Sequence, residues 1–452
     1  MQPVVITEPY RFVPPYRGRV LPRLLQLILP SYLRRNHGIT QIHCEGGDCL
    51  RDLLAAGVGV LLAPNHCRPE DPLVVSELCR RVGTTPYTMA SWHVFMQGWA
   101  QRVFSRLGGG FSVYREGLDR QALNTAIEIL VRERRPLVIF PEGAISRHND
   151  RLNPLMEGPP FIARSAAKRR AESGGRVVVL PVALRYRFGG DVGRAIAPVL
   201  DRIERRLSWG PTTPGDLVQR IRKVGLALLS LKEIEYLSEP QLGTLWERVD
   251  RLIENLLAPL EREWLKGRRD NSTITRVKSL RVAIVPEMVQ GELPEPELAR
   301  RWTQLAQIYL AQQLSLYPAD SIQSNPTPER LIETVQRFEE DLTDTCEVHA
   351  PWQVTVRVGQ PIPVSTTRDR TPGDDPLLAE ISRQLQQLLE ITTWVTPVPH
   401  RLDSLHVLPL RRPPRSLSAG SRGGCGCCAW WGGWLPGLAP SPSLEAALLP
   451  KG

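Results

Sequence analysis

Short apolar runs alternate with amphipathic stretches between Ile39 and Leu184, and this alternation constrains the fold more than any other feature of the sequence. The apolar runs are Ile39–Cys44, Val58–Ala63, Leu137–Phe140 and Val177–Leu184. The stretches with helical spacing are Pro72–Arg81, Val94–Leu107 and Leu118–Arg134. Strands that alternate with helices form parallel sheets covered by helices. The sequence therefore predicts an α/β domain with a mostly parallel sheet flanked by helices. Functional residues are then expected at the carboxyl ends of the strands.

The pattern changes near residue 200, where three amphipathic helices become recognisable. Their apolar positions recur every three or four residues within the segments 217–231, 245–264 and 331–342. After them, Trp352–Val358 alternates as a half-buried strand and Leu377–Leu389 returns to helical spacing. This order predicts a helical insertion or second subdomain, followed by a strand that can rejoin the first sheet.

Together these patterns divide the chain into five segments. They are an N-terminal segment with a basic amphipathic helix (1–37), the α/β domain (38–200), the helical insertion (201–345), a returning strand and helix (346–395) and a tail (396–452). The tail is predicted to be disordered, because Arg, Pro, Ser and Gly dominate it without periodicity. In residues 19–35 a group of apolar side chains lies between arginines, which fits a helix on a membrane surface or a helix that caps the core; the group is Leu24, Leu25, Leu27, Ile28 and Leu29.

The net charge of the chain favours anionic partners. Lys and Arg number 57 against 47 Asp and Glu, a net charge of +10, which favours a phosphorylated substrate, an anionic lipid surface or nucleic acid. No apolar run reaches 18 residues, and the first residues lack the basic start and apolar stretch of a signal peptide. We therefore expect a cytoplasmic protein that does not span a membrane. The eight cysteines fit neither a secreted disulfide pattern nor a zinc site, so no metal is expected.

The strongest chemical signal lies just after the strand Val58–Ala63. His66 and Asp71 are five positions apart in a segment that begins Ala63-Pro64-Asn65. A turn there lets the carboxylate bind one imidazole nitrogen and raise the basicity of the other, as a general base requires. The alternative is an ordinary hydrogen-bonded turn histidine.

Two further segments carry candidate binding groups. Gly108–Arg115 offers a glycine-rich backbone followed by Arg115, whose guanidinium could bind two oxygens of a phosphate. Val138–Gly143 ends a buried strand with Glu142 and Gly143, which would place an acid at the functional edge of the sheet. A surface arginine and an acid at a helix N-terminus are the simpler alternatives.

In this order and spacing, the segments resemble the four sequence blocks of the glycerolipid acyltransferase family. That family includes 1-acylglycerol-3-phosphate and glycerol-3-phosphate acyltransferases. The matching positions are His66 and Asp71 for the H-x4-D block, Gly109 and Arg115 for the second block, Phe140–Gly143 for the FPEG block and Pro181 for the fourth. The resemblance covers roughly residues 40–187. The strand end Val358-Gly359-Gln360-Pro361 also resembles a later strand of the family.

The resemblance implies transfer of a fatty acyl group from acyl-CoA or acyl carrier protein to a hydroxyl group of an acceptor. The acceptor would be a lysophospholipid or glycerol phosphate, with 1-acylglycerol-3-phosphate as the first expectation, in phospholipid biosynthesis. His66 would be the general base and Asp71 would orient it. Arg115 would bind the acceptor phosphate, and Glu142 and Gly143 would position its polyol. The resemblance implies no cofactor, no metal and no nucleic-acid partner.

Two positions depart from the family pattern. Ala144 stands where Thr or Ser usually follows FPEG, and Ser112 stands where the second block usually has an aromatic residue. These departures leave the acceptor less certain than the chemistry. A different lipid alcohol is one alternative, and a catalytically idle lipid- or anion-binding membrane adaptor is another.

Peripheral contact with an anionic membrane, on its cytoplasmic face, is expected because the acyl product must enter a bilayer that no segment can cross. The expected docking surface combines residues 19–35 with a second basic stretch. That stretch contains Arg164, Lys168, Arg169 and Arg170.

Overall fold

The computed structural model contains the predicted α/β architecture, with a mostly parallel sheet flanked by helices. It describes residues 9–209, 216–291, 293–317, 326–343, 345–366 and 375–390. The predicted disordered tail, residues 396–452, lies outside the described residues.

Eight described strands form one sheet. They are β1 (Ile39–Glu45), β2 (Gly59–Pro64), β3 (Tyr87–Ser91), β4 (Gly110–Val113), β5 (Leu137–Val138), β6 (Val177–Phe188), β7 (Trp352–Val358) and β8 (Ile362–Pro363). The strand order is β1-β7-β6-β2-β5-β3-β4, and β8 pairs with β6. Neighbours from β6 to β4 are parallel, whereas β7 and β8 run antiparallel to β6. The carboxyl ends of five strands therefore meet at one edge.

Fourteen described helices surround the sheet or extend from it. They are α1 (Val20–His37), α2 (Gly47–Ala55), α3 (Asp71–Arg81), α4 (Trp92–Phe95), α5 (Trp99–Leu107), α6 (Arg120–Arg132), α7 (Gly158–Ala171), α8 (Val192–Arg206), α9 (Leu217–Leu237), α10 (Leu245–Leu265), α11 (Thr273–Gln290), α12 (Glu295–Ser315), α13 (Pro328–Thr343) and α14 (Pro376–Leu388). In the described part of the chain no helix has the length and apolarity needed to cross a membrane.

Alternate side chains of the central strands face two separate cores. Val60 and Leu62 of β2 pack with α1, α3, α8 and α13, whereas Leu61 and Ala63 pack with α6, α7 and α14. This is the two-residue period of a strand buried on both faces. As a consequence, α1 and α7 lie against opposite faces of the sheet. The expected docking surface is wrong in this respect, because its two basic segments do not adjoin.

The short strands β3 and β4 are absent from the predicted pattern. β4 lies within the segment interpreted as a flexible glycine-rich loop, and it pairs with β3 at the edge of the sheet. The predicted helix Val94–Leu107 is interrupted, because α4 and α5 are separated at Gly98. Gly98 has a φ of 137°, which a residue with a side chain rarely adopts.

The helical region is inserted between two parts of the same sheet, because β7 returns to lie between β1 and β6. The C-terminal part of α9 and the helices α10, α11 and α12 share a core of their own. By contrast, α8 and α13 pack on the sheet. Helix α8 runs through the predicted boundary at residue 200.

Candidate active site

The candidate site is built where β2 ends and β6 continues. Pro64 of β2 pairs with Val182, but β6 extends to Phe188. The buried Asn65 exchanges two hydrogen bonds with Leu184: its Nδ2 donates to the carbonyl oxygen at 3.1 Å, and its Oδ1 accepts from the backbone N–H at 2.7 Å. The amide of Asn65 thus replaces backbone pairing and ties the following loop to the extended strand.

His66 and Asp71 form the hydrogen-bonded pair that the spacing predicts. Nδ1 of His66 lies 3.0 Å from Oδ2 of Asp71. Asp71 is the first residue of α3 and is fully buried. The same Oδ2 accepts backbone N–H groups from Cys67 at 2.7 Å and Arg68 at 2.8 Å. An ionised carboxylate only accepts hydrogen bonds, so Nδ1 carries the proton and Nε2 of the neutral ring has a free lone pair.

A second oxygen of Asp71 is held by a residue that the sequence reasoning missed. The hydroxyl of Tyr186 donates to Oδ1 at 2.6 Å. Burial, followed by the charge of Asp71, raises the pKa of Tyr186 well above its ordinary value, so the phenol stays a donor. Tyr186 lies only two residues beyond the predicted strand Val177–Leu184, at an alternating position of that strand. Continuing the period would have placed it on the same face as Leu184.

The imidazole of His66 packs on one side chain and stays partly exposed to solvent. The ring of His66 stacks on Phe140, with centroids 4.1 Å apart. The side chain of His66 is 16% exposed. Within the described residues no hydrogen-bond partner reaches Nε2. The basic nitrogen is therefore left for an incoming hydroxyl group.

Glu142 fastens the His66 loop to the turn that follows β5. Its Oε1 accepts the backbone N–H of His66 at 2.6 Å, and Oε2 accepts that of Asn153 at 3.0 Å. The side chain is fully buried. Burial raises the pKa of Glu142 to about 8, against the opposing effect of these backbone hydrogen bonds. Both oxygens are engaged by protein atoms, so the direct contact is with the loop, and a role in binding the acceptor stays a prediction.

Gly143 connects the FPEG turn to Arg115. Its φ is 67°, and a Cβ at this position would overlap with Sδ of Met156. A side chain is therefore excluded for both conformational and steric reasons. The carbonyl oxygen of Gly143 accepts a hydrogen bond from the guanidinium of Arg115. Together with the Glu142 contact, this bond brings all five predicted site residues into one network.

Arg115 lies beside a small cavity and has no carboxylate partner among the described residues. Burial, followed by the charge of Arg281, lowers the pKa of Arg115 to about 10. The arginine remains a cation at neutral pH, but an incompletely compensated one. An anion is the ligand that such a group favours.

The two departures from the family pattern have local explanations. Ser112 is fully buried, and its Oγ accepts the backbone N–H of Val13 at 2.8 Å, which ties the N-terminal segment to β4. Ala144 is buried directly after Gly143. Across the described residues no cluster of three or more His, Cys, Asp or Glu side chains is arranged to hold a metal ion.

Comparison with known proteins supplies the class. The model of the Acyltransferase family matches residues 41–185, which include His66, Asp71, Arg115, Glu142 and Gly143. Among curated proteins none matches the chain. The match supports an acyltransferase domain over residues 41–185, which contain most of strands β1 to β6 and the five predicted site residues, and it supports acyltransferase activity in general.

Proposed function

We propose that the protein transfers a fatty acyl group from an acyl thioester to a hydroxyl of a glycerol-phosphate-type acceptor, foremost 1-acylglycerol-3-phosphate. The observation that carries this proposal is the His66–Asp71 pair, whose Nε2 is unoccupied. Glu142 fastens the His66 loop to the FPEG turn, and Arg115 is bound to that turn through Gly143. The acyltransferase-family match supports the chemistry. The excess positive charge at Arg115 supports a phosphate-bearing acceptor.

In the proposed reaction, Nε2 of His66 takes the proton of the acceptor hydroxyl as its oxygen attacks the thioester carbonyl. A carbon–oxygen bond forms, and the resulting tetrahedral intermediate collapses as the carbon–sulfur bond breaks. The thiolate leaves and takes the proton back from the imidazolium. Asp71 holds the ring in the productive tautomer and stabilises its transient positive charge. The donor thiol belongs to acyl-CoA or to acyl carrier protein.

We place this activity in phospholipid biosynthesis, on the cytoplasmic face of a membrane that the protein contacts peripherally. Helix α1 supports this proposal. Its buried face contains Pro22, Gln26, Leu29 and Leu33. Its opposite face exposes apolar side chains, which are Val20, Leu21, Leu24, Leu27, Ile28 and Tyr32. Arginines flank this face, as in helices that insert shallowly into anionic interfaces.

Two of the four residues in the second basic stretch expected at the membrane are engaged elsewhere. Arg164 forms an ion pair with Asp375, and Arg170 donates to backbone carbonyls, among them that of Val131 at 2.9 Å. With α7 on the opposite face of the sheet, the proposal assigns docking to α1 alone.

The test is release of free thiol by the purified protein, with acyl-CoA and acyl carrier protein thioesters as alternative donors. The acceptors are glycerol 3-phosphate, 1-acylglycerol-3-phosphate and an uncharged monoacylglycerol. Thiol release that depends on a phosphate-bearing acceptor and is lost in His66→Ala supports the proposal. Release with the uncharged acceptor alone would point to a different lipid alcohol. Lipid binding without any release would favour the idle adaptor.

A further inference from the structure

Helix α11 of the insertion lies next to Arg115. A cavity lies between them, lined by Arg115 and Met156 from the α/β domain and by Lys278 and Arg281 from α11. Its volume is about 20 Å³, which holds about one water molecule. The cavity adjoins the FPEG turn, because Gly143 binds Arg115 and a Cβ on Gly143 would meet Met156.

The charges around this cavity do not balance. Arg281 forms an ion pair with Glu116, whose Oε1 also lies 3.3 Å from Nε2 of the buried His93. Burial opposes ionisation of Glu116, but the His93 contact and the charges of Arg281 and Arg115 outweigh it and lower the pKa to about 2. Among the residues that line the cavity, Glu116 is the one carboxylate against the three cations Arg115, Lys278 and Arg281. Neither Arg115 nor Lys278 forms an ion pair with any described residue.

The cations also disfavour one another. Arg281 contributes to the lowered pKa of Arg115, after burial. Desolvation of the ammonium, followed by the charge of Arg115, lowers the pKa of Lys278, against the smaller opposing effects of Asp270 and Glu157. An anion placed among these three cations would relieve their repulsion and accept hydrogen bonds from their unused N–H groups. Lys278 is exposed, and its flexible stem can move to admit an anion larger than water.

We propose that Lys278 and Arg281 of the helical insertion complete the binding site for the acceptor's phosphate group, together with Arg115. This inference rests on the proposed transfer to a phosphate-bearing acceptor. It gives the insertion a role in specificity, since two of the three phosphate-binding cations come from outside the domain that the acyltransferase family model matches. An uncharged acceptor would leave the cations unpaired and would bind more weakly.

Binding is tested without any acyl donor, by calorimetry on the full chain. The probes are 1-hexanoylglycerol 3-phosphate, the same compound without its phosphate, and coenzyme A. Lys278→Ala should weaken the phosphate probe about tenfold, as expected for the loss of one charge-assisted contact, and leave the uncharged probe unchanged. Arg262→Ala is the matched control. It removes an exposed charge from α10 outside the cavity lining and should change binding less than twofold.

A second variant tests Arg281 without leaving a buried charge uncompensated. Arg281→Gln combined with Glu116→Gln removes both members of the ion pair, which limits the cost to folding. It should weaken binding of the phosphate probe less than Lys278→Ala does, because it removes the N–H donors of Arg281 but leaves the net charge of the cavity unchanged. The weakening should diminish as salt is raised, because the interaction is electrostatic.

The outcomes separate this inference from the proposed function. Equal binding of the phosphate probe by the wild type, Lys278→Ala and the double variant would overturn the inference. So would equal weakening of both hexanoyl probes, or weakening of coenzyme A instead, which would assign the cations to the donor. Weaker phosphate binding without thiol release from any acceptor would preserve the site and refute acyl transfer. Transfer with an unchanged acceptor KM in both variants would preserve acyl transfer and refute the site.

Discussion

Buried carboxylates are stabilised differently in the candidate site and in the helical region. In the site, Asp71 and Glu142 each accept backbone N–H groups. In the helices, three buried glutamates each bind an arginine of the next helix through two N–H···O bonds. These pairs are Glu204–Arg220, Glu233–Arg248 and Glu261–Arg276.

The difference follows from what each region must do. A bidentate guanidinium neutralises the carboxylate and fixes two helices together, but it adds a full positive charge. Beside His66, such a charge would oppose protonation of the imidazole. Backbone N–H groups stabilise Asp71 without that effect and also fix the loop. The site therefore keeps a usable negative charge, whereas the helices use theirs for cohesion.

The largest effect is expected at the site. His66→Ala should lower the rate of acyl transfer by at least about 100-fold, because general-base catalysis typically contributes that much. The measurement is thiol release together with the melting temperature, which should hardly change. His43→Ala is the control, since the His43 side chain is 74% exposed on β1. Retention of more than about a tenth of the activity in His66→Ala would remove His66 from the base role.

In the helical region the same kind of change should affect stability instead. Glu233→Gln leaves the buried Arg248 unpaired and should lower the free energy of unfolding by about 3 kcal/mol, measured in urea. Activity should persist where the protein is folded. Glu235→Gln, at a side chain that is 49% exposed, should cost less than about 1 kcal/mol. Equal costs for both would show that the buried pair contributes no more than a surface pair.

Arg115→Lys tests a residue that lies between the candidate site and the helical region. A point charge replaces a planar fork, so the acceptor KM should rise about tenfold while kcat and the donor KM change little. Steady-state kinetics with each substrate varied in turn give these values. An unchanged KM for phosphate-bearing acceptors would mean that Arg115 does not bind the phosphate.

The exposed face of α1 tests membrane docking separately from catalysis. Leu27, which is 70% exposed, should insert on binding, so Leu27→Ala should weaken sedimentation with anionic vesicles about fivefold. Leu242→Ala, at a residue 80% exposed outside α1, should have no such effect. Equal losses in both variants would indicate nonspecific adsorption.

Glu142 should make the stability of the fold depend on pH. The pKa of its folded form is raised from 4.5 to about 8, so the unfolded chain releases this proton at lower pH than the folded chain. Its contribution to stability is therefore present at acidic pH and declines as pH rises toward 8. The unfolding free energy of the wild type, relative to Glu142→Gln, should fall between about pH 5 and pH 8. Parallel pH profiles would contradict the raised pKa.

Local patterns were sufficient to predict much of the fold and the contact between His66 and Asp71. The run Val58–Ala63 became β2 with a one-residue shift, because a continuous apolar run is typical of a strand buried on both faces. His66 and Asp71 meet because five residues of turn suffice to bring them together. Glu142 was correctly expected at the sheet edge, since the carboxyl ends of parallel neighbours coincide.

The rest was decided by strand order and packing, which depend on residues far apart in the chain. Tyr186 contacts Asp71 only because β6 continues beyond the end of β2. Arg281 contacts Glu116 only because the insertion folds back across the site. The period of β6 predicts the face on which Tyr186 lies, but no local pattern predicts that Tyr186 contacts Asp71 or that Arg281 contacts Glu116. The sequence by itself determined the α/β elements and the His66–Asp71 pair, whose interactions are local. Tertiary structure decided which cations surround Arg115 and on which face of the sheet α1 and α7 lie, because those contacts exist only once the sheet is assembled.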